Sequence, residues 1–248
     1  MRQLTSDSGH SALEMLISTA IGGIVLAGVC DLYVTTSHSM LGQTGAVEMQ
    51  IQVKAAMDVM VREMQLIYGS PTITSGGASV SPPNAGDTIS FNRARALGYS
   101  TGGNTTSTLW DTRKTWLSNQ YAGQYSVLIL AGPGVNEVHA ISGNNMMTLT
   151  LSNTWSVPPD DTSLYLIYQN EGFTRTAANQ LGYRRGNGGY TPIADNITAL
   201  AFSQPDTVSC PPPCPVITIT LTERTSNPDP LTGQYNSYSL TDTVWRRN

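Results

Sequence analysis

Few residues in this chain have the type and spacing to do chemistry, and Cys210 and Cys214 come first. They bracket three prolines in "CPPPCP". Two thiols so placed are expected to close a small local disulfide that pins the approach to the Val216 strand, with two free thiols as the alternative if this part of the chain stays in a reducing compartment. A bridge would require the chain to turn back there, because the two Cα atoms must lie within about 7 Å. A straight polyproline II run would hold them about 12 Å apart, at about 3.1 Å per residue. A zinc site would need two further ligands, and His10, His38 and His139 do not supply the spacing. The third cysteine, Cys30, sits in an apolar run and reads as a small hydrophobe.

The acidic residues offer two places of interest. Asp160 and Asp161 follow Pro158-Pro159, which reads as a turn more readily than as a calcium loop. Glu14 immediately precedes Met15 to Cys30, "MLISTAIGGIVLAGVC". A carboxylate in a membrane helix costs about 2.5–3.5 kcal/mol on insertion scales, so its presence there asks for a reason. No G-x-S-x-G, H-E-x-x-H, Walker loop or EF-hand spacing occurs, and "AGPGVN" and "RGNGGY" read as turns. The chain is therefore expected to be no enzyme and to need no cofactor or metal. Net charge is -4, and 12% of residues are charged. That balance speaks against nucleic acid as a partner, which needs clustered Lys and Arg. Arg184-Arg185 and Arg246-Arg247 are too short for such a cluster and read as solvated surface.

The elements that must carry these residues follow from periodicity. With Ala12–Leu13 before it and Leu32–Val34 after it, the apolar run nearly reaches the ~20 residues of a bilayer span. It has no cleavage site of the secretory kind after it, and it reads as a membrane anchor that is kept. Thr35 to Gly45 is polar and weakly helical. Beyond it Val53, Met57, Met60, Val61, Met64 and Ile67 fall on one helical face, and the Met stripe reads as core. Gly69 with Ser70-Pro71 then reads as the stop. One helix from Ala12 to Tyr68 would be about 85 Å long at 1.5 Å per residue.

After Thr72 the period becomes two. "DTISF", "YSVLIL", "MMTLTL", "SLYLIY", "ITALAF" and "VITITLT" read as strands between Gly, Pro and Asn punctuation. In the last of these, Ile217, Ile219 and Leu221 alternate with threonines, so one face is buried and the other wet. "SNPDPLTGQ" joins it to "YNSYSLTDTVW" as a hairpin with a long loop. Thr72–Gly86 and Gly98–Thr108 read as exposed loops. Trp110 and Trp116 are expected buried or half-buried, and exposure would mark them as contact sites. The expected fold class is α+β. A long N-terminal helix, membrane-embedded in its first half and amphipathic in its second, packs on an antiparallel β-rich domain.

"G-HSALEMLISTAIGGIVLAGV" resembles the type III signal of type IV prepilins and type II secretion pseudopilins. "AAMDVMVREMQ", "YTPIADNITALAFS" and the final "VWRRN" are similar to the large minor pilins called PilW-like. The resemblance covers the first 70 residues and parts of the last 60. It implies a leader, residues 1–9, that a prepilin peptidase removes after Gly9. His10 would become the first mature residue, the one the family methylates, standing where the family usually has Phe. Glu14 would be the fifth. Residues 10–68 would form the pilin helix, with 12–34 in the membrane or filament core, and 69–248 the globular domain. The implied function is a minor pilin that helps initiate or cap a type IV pilus. Alternatives are a minor pseudopilin of a type II secretion system or a pilus-tip adhesin. Implied partners are the prepilin peptidase, other minor and major pilin subunits, and the inner membrane, with the domain on the periplasmic side before assembly. Glu14 would neutralise a neighbour's terminal amine among packed helices, where a charge is tolerable only when paired.

Overall fold

The computed structural model describes residues 12–81, 84–205, 216–230 and 232–245. Gly9, His10, Cys210, Cys214 and Arg246-Arg247 lie outside them. The architecture is α+β, a single long helix α1 (Ala12–Met64) followed by thirteen strands among the described residues. The strands are β1 (Ile67–Ser75), β2 (Ala78–Ser79), β3 (Thr88–Tyr99), β4 (Thr108–Trp110), β5 (Tyr125–Ala131), β6 (Val138–Asn144) and β7 (Thr148–Leu151). There follow β8 (Leu164–Arg175), β9 (Leu181–Arg185), β10 (Thr191–Ala194), β11 (Ile197–Ser203), β12 (Val216–Arg224) and β13 (Ser237–Trp245).

The chain forms two compact units. The first holds α1 up to Glu48 together with Thr225–Asn236; the second holds Met49–Arg224 and the strand β13. In the first unit, the β12–β13 connection is tied by Asp229. Its carbonyl accepts the Gly233 N–H at 2.8 Å, and its Oδ1 accepts the Thr232 N–H at 3.1 Å. This loop lies close to the helix at Gly42, where an added Cβ would stand 3.4 Å from Asp229 Oδ2. Ser37, His38, Gly42, Gly45 and Ala46 are the half-buried residues of that stretch.

In the second unit α1 shows the amphipathic face expected of it. Met49, Val53, Ala56, Met57, Met60 and Met64 are buried. They join Ile89, Phe91 and Phe173 of one sheet and Phe202, Ile217, Ile219 and Val244 of another in a single core. Each such side chain contributes about 1.5–3 kcal/mol by leaving water, and unbranched methionines fill the uneven space between sheets. The larger sheet runs β2-β1-β3-β8-β5-β6-β7-β4, with β9 and β10 branching from β8; the smaller is β11-β12-β13. All pairings are antiparallel. The twelve-residue β8 is the spine: β3 pairs along one side, β5 along its first half on the other, and β9 along its second. A second core lies at the β5–β7 end, around Leu109, Trp116, Val127, Ile129, Ile141 and Tyr165.

The strands read from alternation are present, and the β12–β13 hairpin pairs in unbroken register from Val216↔Trp245 to Arg224↔Ser237. Two expectations need correction. The helix does not reach Tyr68: it ends at Met64, and Ile67 to Ser75 is strand. Gly69, at φ 72°, bends that strand and does not cap the helix, and its pairing with β3 shifts register between Tyr68 and Thr72. The two Gly/Ser/Thr-rich stretches are not wholly loop either. Thr72–Ser75, Ala78–Ser79 and Gly98–Tyr99 are strand, because paired backbone groups outweigh weak side-chain preference there.

Candidate functional site

The most conspicuous surface is the start of α1. Leu13, Met15, Leu16, Ile17, Ile21, Ile24, Val25, Leu26, Val29 and Leu32 are all exposed, and they point in every direction around the axis. A helix apolar all round needs an apolar surrounding. This one is long and apolar enough to cross a membrane, and none of its apolar window is buried within the chain. That supports a single-pass anchor. The Thr19 hydroxyl does not disturb it, since it donates back to the Met15 carbonyl at 2.9 Å. Glu14 stands in the first turn of this helix, where the helix dipole favours negative charge by about 0.3–1 kcal/mol. Cys30 is a free thiol on the same exposed stretch.

The second unit holds a buried ionic network. Alternation along β8 places Tyr165, Ile167, Gln169, Glu171 and Phe173 on one face, so two polar residues sit between the two cores. Arg93 and Arg95 approach from β3, whose register against β8 shifts between Ala94 and Ala96. Two apart on the strand, Arg93 and Arg95 share the inward face of Ile89 and Phe91 by plain alternation, and the bulge turns Ala96 to that face as well. Arg95 Nη2 bonds Glu171 and also donates to Gln169 Oε1 at 2.9 Å. Arg93 pairs with Glu63 in the last turn of α1 and lies 3.8 Å from Glu171. Tyr183 donates its hydroxyl to Glu171 at 2.5 Å and accepts from Arg185 Nε at 3.2 Å. Burial first, and the Glu171 carboxylate second, push the Tyr183 phenol up to about 12. The network holds α1 to β3, β8 and β9. Its carboxylates are buried and shut in by arginines and the Tyr183 hydroxyl.

The remaining sequence-selected residues separate. Asp160 is a turn residue, as expected: its Oδ1 accepts from the Thr162 N–H at 2.8 Å, and its carboxyl is held below the usual range chiefly by the Thr162 hydroxyl. No group of three His, Cys, Asp or Glu able to hold a metal occurs among the described residues. Trp116 is buried at 6% exposure, while Trp110 is 41% exposed, so only the former is core. Arg184 and Arg185 are not simply solvated. Arg184 donates to Asn170 Oδ1 at 2.8 Å, and Arg185 lies over the Tyr183 ring at 5.1 Å. Strand pairing with β8 turned a supposed surface pair into a cross-strand one. A groove of about 460 Å³ lined by Gln52, Ala55, Val59, Pro192, Ile193 and Asp195 has one acid, engaged by Gln180 at 2.7 Å, and no partner for acid–base work.

Glu137 gives the domain a pH dependence. Its carboxylate accepts the Ser156 and Val157 N–H groups at 2.8 and 2.9 Å and lies 3.2 Å from His139 Nε2. These contacts, the Ser156 bond foremost, hold its carboxyl below the ordinary range. A group depressed on folding stabilises the fold above its unfolded pKa and loses that contribution as pH falls through the folded one. Glu137→Gln is therefore expected to lower the thermal midpoint at pH 7, with the gap to wild type closing as the pH drops below about 4. A gap that stays constant down to pH 3 would contradict it.

Comparison of this chain with protein-family models, with curated proteins and with solved structures finds no match.

Proposed function

We propose that this protein is a non-enzymatic minor pilin, anchored in the inner membrane before assembly, which helps initiate or cap a type IV pilus. The observation that carries the proposal is the beginning of α1: an acid in the first turn, then a helix apolar on every side whose later turns form the core of a β-rich domain. In an anchor alone Glu14 would gain only about 0.3–1 kcal/mol from the helix dipole. In a subunit that leaves lipid to join a bundle of similar helices it would gain more, because there the carboxylate can meet a neighbour's terminal amine. The prepilin-like "G-HSALE" supplies that amine on cleavage after Gly9. Small residues at Thr19, Gly23 and Ala27, four apart, would let such helices approach closely.

A second reading, a tip subunit that contacts a surface, is favoured by the exposed Trp110 beside Gly103. A minor pseudopilin of a secretion system shares every feature named so far.

Processing tests the proposal first. Co-expression with a prepilin peptidase is expected to yield a chain that begins at His10, read by intact mass. Gly9→Val is expected to leave the leader in place, because the peptidase requires a small residue there. A chain that keeps Met1 beside an active peptidase would refute the pilin reading.

A further inference from the structure

Sheet edges are where this domain is uneven. An unpaired edge offers a row of N–H and C=O groups to any passing strand, and proteins blunt such edges by shortness, proline, bulges or cover. The larger sheet does so throughout. Its terminal strands β2, β4 and β10 have two, three and four residues, and β10 carries Pro192. β1 is interrupted at Gly69 and Pro71, where its register shifts. In the smaller sheet β11 is bulged between Ile197 and Ala199, and Gly86 bonds Phe202 in both directions, at 2.9 and 2.7 Å.

Among the described residues β13 is neither short nor bulged, and one acid is its only guard. It runs nine residues on one neighbour, β12, without proline, lysine or a register shift. Its single charge is Asp242, exposed, whose Oδ1 accepts the Thr243 N–H at 2.7 Å. At its end stands Trp245, 67% exposed, a residue type enriched among the anchors of protein interfaces. Two independent features, a long unbroken edge and an exposed tryptophan at its end, thus coincide.

We propose that β13 is a docking edge that accepts an extended strand of a different polypeptide, alternating apolar with Ser or Thr and carrying Lys or Arg opposite Asp242. The alternation follows from the two faces such a strand would continue. Tyr238, Leu240 and Val244 lie on the core side, and Ser239, Thr241 and Thr243 lie on the wet side. The cation follows from Asp242, which sits on the core-side parity, where a bare carboxylate beside an added strand would be costly. A second copy of this chain fits poorly, because the antiparallel register that sets Arg246 opposite Asp242 overlaps β13 only at its last residues. The registers with longer overlap set Asp242 against Tyr238, Leu240, Val244 or another Asp242, and none of these carries a positive charge. This inference goes beyond the pilin reading and stands without it.

The probe is a fluorescent peptide, Val-Ile-Thr-Lys-Thr-Leu-Thr, which copies Val216–Thr222 with lysine in place of Ile219. Anisotropy titration against the full chain in detergent is expected to show saturable, micromolar binding. N-methylation of alternate peptide amides should weaken it about tenfold in one of the two alternations and spare the other, because only one row of N–H groups faces β13. Asp242→Lys should weaken the lysine peptide about fivefold, and a glutamate in the peptide should restore it. Trp245→Ala should weaken both peptides. Asp242 and Trp245 are exposed, so these variants keep the fold. Absence of saturable binding, or equal binding by both methylated peptides, would overturn the proposal. So would sedimentation that shows the wild-type chain already dimeric through β13 and closed to the peptide. Failure here leaves leader cleavage untouched, so the two readings fail separately.

Discussion

Glu171→Ala is expected to cost the domain about 3–5 kcal/mol, the range for removing one member of a buried ion pair. The total stability of a domain is about 5–15 kcal/mol, so the variant should be largely unfolded at modest denaturant. The cause is not the lost attraction alone. Glu171 is fully buried and meets Arg95 and the Tyr183 hydroxyl, with Arg93 at 3.8 Å. Without it, guanidinium groups stay buried with too few acceptors and a phenol loses its partner. Glu171→Gln keeps the shape and one acceptor and should cost less. Arg62→Ala is the control: Arg62 is 70% exposed and 3.7 Å from Glu63, a surface pair worth about 0–1 kcal/mol. Urea melts of the full chain in detergent, followed by the fluorescence of buried Trp116 and Trp155, separate the three. An unfolding free energy for Glu171→Ala within about 1 kcal/mol of wild type, from linear extrapolation of the melts, would show the network to be decoration.

Glu14→Ala is expected to reduce the number of surface filaments nearly to that of a deletion strain while leaving their length little changed. The substitution should ease membrane insertion, because it removes a charge that costs about 2.5–3.5 kcal/mol there. It should cost the helix less than about 1 kcal/mol, the worth of an acid in the first turn. Expression, leader cleavage and membrane fractionation should therefore be normal. On the proposed pilin reading, what it should remove is the partner of a neighbour's amine in the packed bundle. A loss of about 3–5 kcal/mol at one nucleating contact is more than a hundredfold in its equilibrium constant. Filament counts by electron microscopy in wild-type, Glu14→Ala and deletion cells decide it. Wild-type counts in the Glu14→Ala strain would remove assembly from the account, while intact processing would still mark the chain as a prepilin substrate.

The parts legible in the sequence were those where one pattern dominates. The methionine face from Met57 to Met64 and the alternation of "VITITLT" appear in the core as read. The helix end was misplaced because Gly69 serves helix stops and strand bends alike, and only the pairing partner distinguishes them. The ionic network went unread because charges in a strand suggest an outward face. A signal was nevertheless present. Tyr165, Ile167 and Phe173 fix the inward parity of β8, and Gln169 and Glu171 share it, so two polar residues had to be buried. Alternation also puts Arg93 and Arg95 on the inward face of β3 with Phe91; what it could not supply was that β3 lies beside β8, since strand pairing is a tertiary event. Glu14 was legible as an anomaly at once, because an acid before the largely apolar run Met15 to Cys30 has so few benign explanations.

Gln169 and Glu171 interrupt the apolar face of β8 between Ile167 and Phe173, so the two cores meet at a polar partition. Oil-like cohesion does not run across such a boundary; what crosses it is directional bonding, which either holds or lets go. The half around Trp116, Tyr121 and Ile141 can therefore breathe, admit insertions or drift in sequence without loosening the half that grips Met57 and Met60. A lineage could remodel the exposed loops of that far half, Trp110 among them, to suit new surroundings, while the helix-bearing half stays under constant selection for its packing.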